Sequence, residues 1–112
     1  MPSLEPQKVY LGTPGISSSP TTAYTVPAGK RLIMKHVRIT NNSAAAATFS
    51  MITGTNMFGP PIFYFANAIT IKANDVVLFD LNEVLVTGEG IVLIQGTAAA
   101  LTVQISGVEV TL

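Results

Sequence analysis

Thr25-Val26-Pro27-Ala28-Gly29-Lys30 and the segment that follows it, Arg31-Leu-Ile-Met-Lys-His-Val-Arg-Ile-Thr-Asn-Asn-Ser43, decide the fold class of this chain. Pro27 fixes one backbone φ angle and Gly29 permits a positive φ, so the first residues predict a turn. The apolar and β-branched residues after them suit a half-buried strand. Asn41-Asn42-Ser43 predicts the next turn. Turn, strand and turn in this order are typical of an all-β domain.

Short apolar segments bounded by turn-forming residues recur along the whole chain, about every 8 to 12 residues. About eight or nine short strands at this spacing are typical of an antiparallel sandwich or barrel, and no segment requires a helix. The 112 residues are enough for one domain that buries a core. We therefore expect an extended N-terminal arm and loop with one short strand at residues 1–20, and a β-sandwich domain at residues 21–112.

The third strand leaves two registers open, because its apolar residues change parity in the middle. A β-bulge at Lys35-His36 would create one core face from Leu32, Met34, Val37 and Ile39. The competing register has no bulge and buries Ile33, Val37 and Ile39 with the stem of Lys35. The sequence does not choose between them.

The second half of the chain predicts several more strands. Ile62–Phe65 and Ile69–Ile71 are expected to be two short strands, the first of them aromatic. Val84–Val86 and Ile91–Ile94 flank Thr87-Gly-Glu-Gly90 and predict a hairpin-like unit.

The final strand alternates apolar and polar residues until its parity shifts at Gly107. Leu101, Val103 and Ile105 share one face of this strand. A bulge at Gly107 would return Val108 and Val110 to the same face.

The chain is poor in charge. Only 11% of its residues are Asp, Glu, Lys or Arg, and 48% are hydrophobic, whereas about 25% of residues are charged in a typical soluble domain. A small domain that stays alone in solution needs surface charge. The shortage predicts that identical copies or a larger assembly cover part of the exterior.

The balance of charge and the absence of cysteine exclude several classes of function. Six basic and six acidic residues give a formal net charge of zero, so we expect neither a nucleic-acid nor a membrane partner. Without cysteine the chain forms no disulfide and no thiolate metal site. The first eight residues lack the features of a secretion signal, and no apolar run reaches the length of a membrane helix. We expect synthesis and folding in a cytoplasm.

The ionisable residues predict no catalytic, cofactor-binding or metal-binding site. His36, the only histidine, has no nucleophile, orienting carboxylate or further ligand near it in sequence, and is expected to face solvent or an interface. Ser17-Ser18-Ser19 lacks a nucleophile elbow and is expected to form a loop. Four acidic residues lack calcium-loop spacing and are expected to solvate turns, with a bound cation or a carboxylate pair as the open alternative: Asp75, Asp80, Glu83 and Glu89.

Lys30, Arg31, Lys35 and Arg38 form the one basic concentration of the sequence. These residues could form salt bridges with an acidic patch of a partner subunit. They could equally keep the strand soluble and prevent edge pairing. Both alternatives stay open.

Four segments together resemble a group of small virion proteins of tailed bacteriophages: Val9-Tyr-Leu-Gly12, Tyr24-Thr-Val-Pro-Ala-Gly-Lys30, Val37-Arg-Ile-Thr-Asn41 and Ile105-Ser-Gly-Val-Glu109. The resemblance covers most of the chain from Val9 onward. It implies a single β-sandwich or jelly-roll-like module of the kind used in capsid decoration, necks, baseplates and fibres.

The resemblance also implies a function. The leading expectation is a non-enzymatic virion protein without cofactors, assembled in the host cytoplasm: a capsid decoration (cement) protein that stabilises the assembled head. It would be a homo-oligomer, with a trimer favoured, and would bind the major capsid protein or other virion proteins. Met1–Gly15 is the arm expected to order on a neighbouring subunit. The alternative is a tail, neck, baseplate or fibre component with a receptor-contacting loop at Gly54–Pro61, and a carbohydrate-binding or hydrolytic module is the third class.

Overall fold

The computed structural model describes residues 3–14, 20–54, 64–96 and 100–112. Eight strands form two four-stranded sheets that enclose one hydrophobic core, which confirms the all-β sandwich. The described part of the chain contains no helix that could span a membrane. The strands are β1 Ser3–Gly12, β2 Thr21–Thr25, β3 Lys30–Asn41, β4 Ala47–Gly54, β5 Tyr64–Ile71, β6 Val76–Leu85, β7 Gly90–Gln95 and β8 Leu101–Thr111.

The strand order shows that the sheets are built from non-local pairs. Sheet A has the order β1-β8-β3-β6 and sheet B the order β2-β7-β4-β5. Every described pair is antiparallel. Only β4 and β5 are consecutive in sequence and also paired; each other connection between described strands crosses from one sheet to the other. This topology is jelly-roll-like.

The hairpin predicted from Val84–Val86 and Ile91–Ile94 is wrong. β6 pairs with β3 in sheet A, whereas β7 pairs with β2 and β4 in sheet B. The intervening turn does contain a glycine at positive φ, Gly88 at 89°. However, the N–H of Gly88 donates to the carbonyl of Val26 at 3.1 Å. This contact with the end of β2 helps to carry the chain across to sheet B.

Two strand boundaries differ from the predicted ones. β1 covers ten residues, Ser3–Gly12, where one short strand was predicted within residues 1–20, and its backbone pairs with β8 over this range, so residues 3–12 belong to sheet A. Strand pairing uses only backbone groups. The polar residues of this segment gave no apolar pattern, so the sequence did not predict that it pairs with another strand. β5 runs to Ile71 without a break and includes the strand predicted separately at 69–71. Two predicted loops, Ser17–Ser19 and Gly54–Pro61, lie wholly or largely outside the described residues, and so do the first two residues of the aromatic strand predicted at Ile62–Phe65.

β3 adopts the register with the bulge. Its pairing with β8 shifts between Met34 and His36, and the residues that this register assigns to the core are fully buried: Leu32, Met34, Val37 and Ile39. The bulge lies beside Gly107 of β8. A Cβ at position 107 would lie 2.3 Å from the carbonyl oxygen of Ile33. The missing side chain therefore gives β3 the room to approach β8.

The bulge predicted at Gly107 itself is wrong. β8 alternates without interruption, so that Gly107 and Glu109 face inward while Val108 and Val110 stay half-buried on the other face. The extra residues belong to the strands on either side, since β1 also shifts its register against this part of β8. The alternation of apolar and polar residues in one strand does not show whether a bulge lies in that strand or in the strands that pair with it.

Two buried amides close the core at its margins. The side chain of Asn41 donates to the carbonyl of Ile71 at 3.0 Å. The side chain of Gln95 donates to the carbonyl of Pro14 at 2.7 Å and accepts from the N–H of Leu101 at 3.1 Å. Among the described residues, no buried side-chain nitrogen or oxygen lacks a hydrogen-bond partner. The buried polar side chains of the described ranges are therefore satisfied by contacts within the chain.

Candidate interaction surface

The outer face of sheet A brings together side chains from all four of its strands. The register places Leu78, Arg38, Gln104 and Leu11 in one row across β6, β3, β8 and β1. The next row includes Asp80, His36 and Ser106. The bulge reverses the parity of β3 after Met34; without it, His36 and Arg38 would face the core.

His36 has a carboxylate partner. Its Nδ1 lies 2.6 Å from Oδ1 of Asp80, and the two side chains are 63% and 85% exposed. Asp80 lies 44 residues further along the chain, so local sequence around His36 gave no sign of it. His36 itself faces solvent on a strand, as predicted.

A shallow depression of about 280 Å³ lies over these two rows; its lining includes Arg38 and Gln104. Asp80, His36 and Ser106 are the residue types of a hydrolytic triad. An activated serine needs a hydrogen bond to its base and donors that stabilise an oxyanion. The structure gives Ser106 no hydrogen bond to His36, and the His36–Asp80 pair stays largely in water. The row of Asp80, His36 and Ser106 therefore offers hydrogen-bonding groups to a partner. Its geometry does not make Ser106 a nucleophile.

The predicted basic concentration is divided between two places. Lys35 donates to the side chain of Asn82, and Arg38 donates to Oε1 of Gln104 at 2.5 Å, both on the solvent side of sheet A. Lys30 instead pairs with Glu109. These residues therefore do not form a single basic face.

The acidic residues of the 70–90 region are also dispersed. Asp80 pairs with His36, and Asp75 lies in the turn before β6. Glu83 and Glu89 share a second depression of about 260 Å³, and each accepts a hydrogen bond from a neutral donor. Within the described ranges, no three His, Asp or Glu side chains are grouped as metal ligands would be.

Glu109, itself buried, is the centre of a partly buried polar cluster near the turn between β6 and β7. Its Oε2 accepts a hydrogen bond of 2.5 Å from the hydroxyl of Tyr24, and its Oε1 accepts one of 2.8 Å from Nζ of Lys30. Tyr24 belongs to sheet B and Glu109 to sheet A, so the cluster joins the two sheets. Burial raises the pKa of Tyr24 well above its usual value, and the hydrogen bond and negative charge of Glu109 raise it further.

β6 leaves apolar side chains in solvent. Of the six large hydrophobic residues that are exposed in the described part of the chain, four lie on β6 or directly after it: Val76, Leu78, Val84 and Val86. Leu78 is the most exposed of all, at 67%. β6 also lies at one edge of sheet A, with β3 as its only partner among the described strands. The strand thus presents apolar side chains and an open backbone edge together.

Comparison with known proteins adds information about the fold. No protein-family model and no curated protein sequence matches this chain. The structure of the Gx strain of infectious bursal disease virus is similar over 100% of this chain and 33% of its own, with a TM-score of 0.59 and 11% identity. The T=1 particle derived from infectious bursal virus matches over 99% of this chain and 31% of its own, with a TM-score of 0.59 and 10% identity.

A viral coat protein gives a further match. The coat protein of Tobacco streak virus is similar over 99% of this chain and 86% of its own, with a TM-score of 0.50 and 11% identity. At such identities the likeness shows the fold alone, and this chain spans about a third of the length of the infectious bursal virus chains that it matches. The fold of this chain is therefore one that proteins of viral capsids use.

Proposed function

We propose that this chain is a non-enzymatic structural protein of a bacteriophage virion, and that it acts as a capsid decoration (cement) protein on the assembled head. The observation that carries the proposal is the outer side of β6, where apolar side chains remain in solvent on an open strand edge. Such patches on a small domain mark interaction sites. The fold shared with viral capsid structures supports a virion role, and the resemblance of its turn motifs supports a tailed phage.

The outer face of sheet A has the composition of a protein–protein contact. Exposed leucines, Leu78 and Leu11, lie at the two sides of a row whose middle is Arg38 and Gln104. Interfaces combine apolar anchors with hydrogen-bonding groups, and arginine is enriched in them. The formal net charge of zero does not favour nucleic acid. We assign this face to contact with the major capsid protein or another virion protein.

The mechanism is mass action. A copy that binds the closed shell and not its separate subunits lowers the free energy of the closed shell relative to the disassembled state. Contacts through several copies in a homo-oligomer, for which we retain the trimer as the favoured state, add avidity to individually weak sites. No covalent chemistry is needed.

The pairing of β1 changes how the N-terminal segment contributes. Deletion of Met1–Gly15 would remove a strand that pairs with β8 along its length. We therefore expect this deletion to unfold the sandwich, and not merely to release a folded domain from the head. Substitution of exposed side chains is the sharper way to test binding.

The test adds the purified chain to parent heads that lack it. The copies bound per particle are counted by gel densitometry and imaged by electron cryomicroscopy, and the melting temperature of the shell is measured by calorimetry. We expect saturation at a copy number comparable to that of the shell subunits, with a raised melting temperature. A handful of copies at the tail or neck would establish the alternative placement, and absence of binding would reject a virion role.

A matched pair of variants localises the contact. Arg38→Glu reverses a charge in the middle of the outer face, whereas Lys72→Glu makes the same change at an exposed residue just after β5. We expect Arg38→Glu to weaken head binding by about tenfold or more, because it removes the donor to Gln104 and places a carboxylate in the contact. Lys72→Glu is expected to bind as the wild type does.

A further inference from the structure

The outward residues of β6 form a pattern that is nearly the same in both directions. At every second position they are Val76, Leu78, Asp80, Asn82 and Val84, and Val86 continues the series beyond the strand. Apolar residues occupy both ends and polar residues occupy the two central positions. A two-fold axis at the middle of this strand would place apolar residues opposite apolar ones and polar residues opposite polar ones.

We infer that β6 is a contact between two copies of this chain, which pair antiparallel through their β6 edges around a two-fold axis at Leu81. In this register Leu78 lies opposite Val84 of the partner subunit, and Val76 lies opposite Val86 of the partner subunit. Asp80 lies opposite Asn82 of the partner subunit. All four exposed apolar residues of the β6 region therefore gain apolar cross-strand neighbours, which is the unit of stabilisation in an antiparallel sheet.

The polar residues at the centre select this register over its neighbours. Moving the axis to Asp80 places the two Asp80 carboxylates opposite each other, and like charges in that position are destabilising. Moving the axis to Asn82 places Asp80 opposite an apolar Val84. Registers with the opposite parity would pair outward side chains with inward ones. Of these registers, only the axis at Leu81 pairs the apolar ends with each other and also places each Asp80 opposite a neutral polar residue.

A bulge lies close to the proposed axis. Between Met34–Glu83 and His36–Asp80, β6 has two residues, Leu81 and Asn82, opposite the single Lys35 of β3. A bulge increases the local twist of a strand. We therefore expect the backbone hydrogen bonds between the two β6 strands to form two stretches, one on each side of the axis. Because a two-fold contact uses the same edge of both copies, the pairing through β6 closes after two copies and does not continue into a fibre. A trimer on the head would therefore form through a different surface of the chain.

The size of the contact sets the expected strength. A single strand edge buries less than the roughly 1,200 Å² of the smallest standard interfaces, so we expect a dimer that forms and dissociates with concentration. The inference does not depend on head binding. Failure of the chain to bind any particle would leave it standing, and a monomeric chain that still decorates heads would overturn it alone.

The first experiment is sedimentation velocity over a concentration series. Leu78→Lys replaces the most exposed apolar residue of the contact, and Leu11→Lys makes the same change at an exposed leucine on β1, the opposite edge of the same sheet. We expect the wild type and Leu11→Lys to associate alike, and Leu78→Lys to associate at least about tenfold more weakly. A wild type that stays monomeric, or an association that Leu78→Lys leaves unchanged, would overturn the inference.

The second experiment tests the register and does not rely on the strength of the contact. The chain has no cysteine, so Leu78→Cys and Val84→Cys each introduce a single thiol. Under mild oxidation, a mixture of the two variants is expected to form covalent dimers, because opposite Cβ atoms are about 5 Å apart. Each variant alone is expected to form few, since identical positions are separated by roughly 20 Å along the strands. Equal cross-linking in all three samples, or none in the mixture, would contradict the proposed axis.

Discussion

β8 and β6 depart from the usual distribution of polar and apolar residues in opposite ways. β8 turns Gly107 and Glu109 toward the interior, whereas β6 turns Leu78 toward solvent. The polar residue of β8 is satisfied within the chain, since Glu109 binds Tyr24 and Lys30. Leu78, in contrast, stays 67% exposed. A buried polar residue whose hydrogen bonds are made within the chain, such as Glu109, stabilises the fold. An apolar residue left in solvent, such as Leu78, indicates a surface that binds a partner.

The largest expected effect comes from filling the space at Gly107. Gly107→Val would force a side chain into the backbone of β3, whose Ile33 carbonyl oxygen lies 2.3 Å from the position of a Cβ. We expect the free energy of unfolding to fall by about 3 kcal/mol or more, as measured by denaturant titration. Ser106→Val, one residue away and facing outward, is the control and should change it by less than about 1 kcal/mol. A stable Gly107→Val variant would show that β3 can move away from β8.

A pair of substitutions tests the comparison directly. Glu109→Ala removes the acceptor shared by Tyr24 and Lys30, and we expect a loss of about 2 kcal/mol in the free energy of unfolding. Leu78→Ser, measured at a concentration low enough to keep the chain monomeric, should stay within about 0.5 kcal/mol of the wild type. If Leu78→Ser costs as much as Glu109→Ala, then Leu78 contributes to the fold and the contrast between the two strands fails.

The smallest expected effect is a change in alkaline stability. The pKa of Tyr24 is raised in the folded state, so the folded chain holds the phenol proton more tightly than the unfolded chain does. This contribution is fully present below about pH 10, the ordinary pKa of tyrosine, and is lost as the pH rises toward the folded-state value. Thermal melts from pH 8 to 11 should therefore show a steeper decline for the wild type than for Tyr24→Phe. Parallel curves would mean that Glu109 and burial do not affect Tyr24 in solution.

The strands were largely predictable from the sequence, but their partners were not. Alternation and turn formers are local properties, and they identified β3, β7 and β8 and offered the correct bulge in β3 as one of two registers. The choice between those registers depends on Gly107, which lies in a distant strand. The hairpin prediction was wrong for the same reason, since local sequence does not identify a distant partner strand. Gly88 indicates a turn, but no residue near it specifies that the next strand joins the other sheet.

The surface was harder to predict than the core. The run Val76-Val-Leu-Phe79 shows no alternation of apolar and polar residues, so sequence alone could not separate its solvent side from its core side. The contact between His36 and Asp80 depends on the pairing of β3 with β6 and has no local signal. The low fraction of charged residues predicted a covered exterior before any strand was assigned, and that coverage stays a prediction.

The position of β8 has a consequence for how the protein is made. This strand lies between β1 and β3 in sheet A, although it is synthesised after every other strand. On the ribosome, β1 and β3 therefore emerge without the strand that joins them, and late long-range pairing of this kind is slow and leaves strand edges open to aggregation. Yield in a host cell should accordingly depend on chaperones that shield the nascent chain, more than on how firmly the finished sandwich holds together.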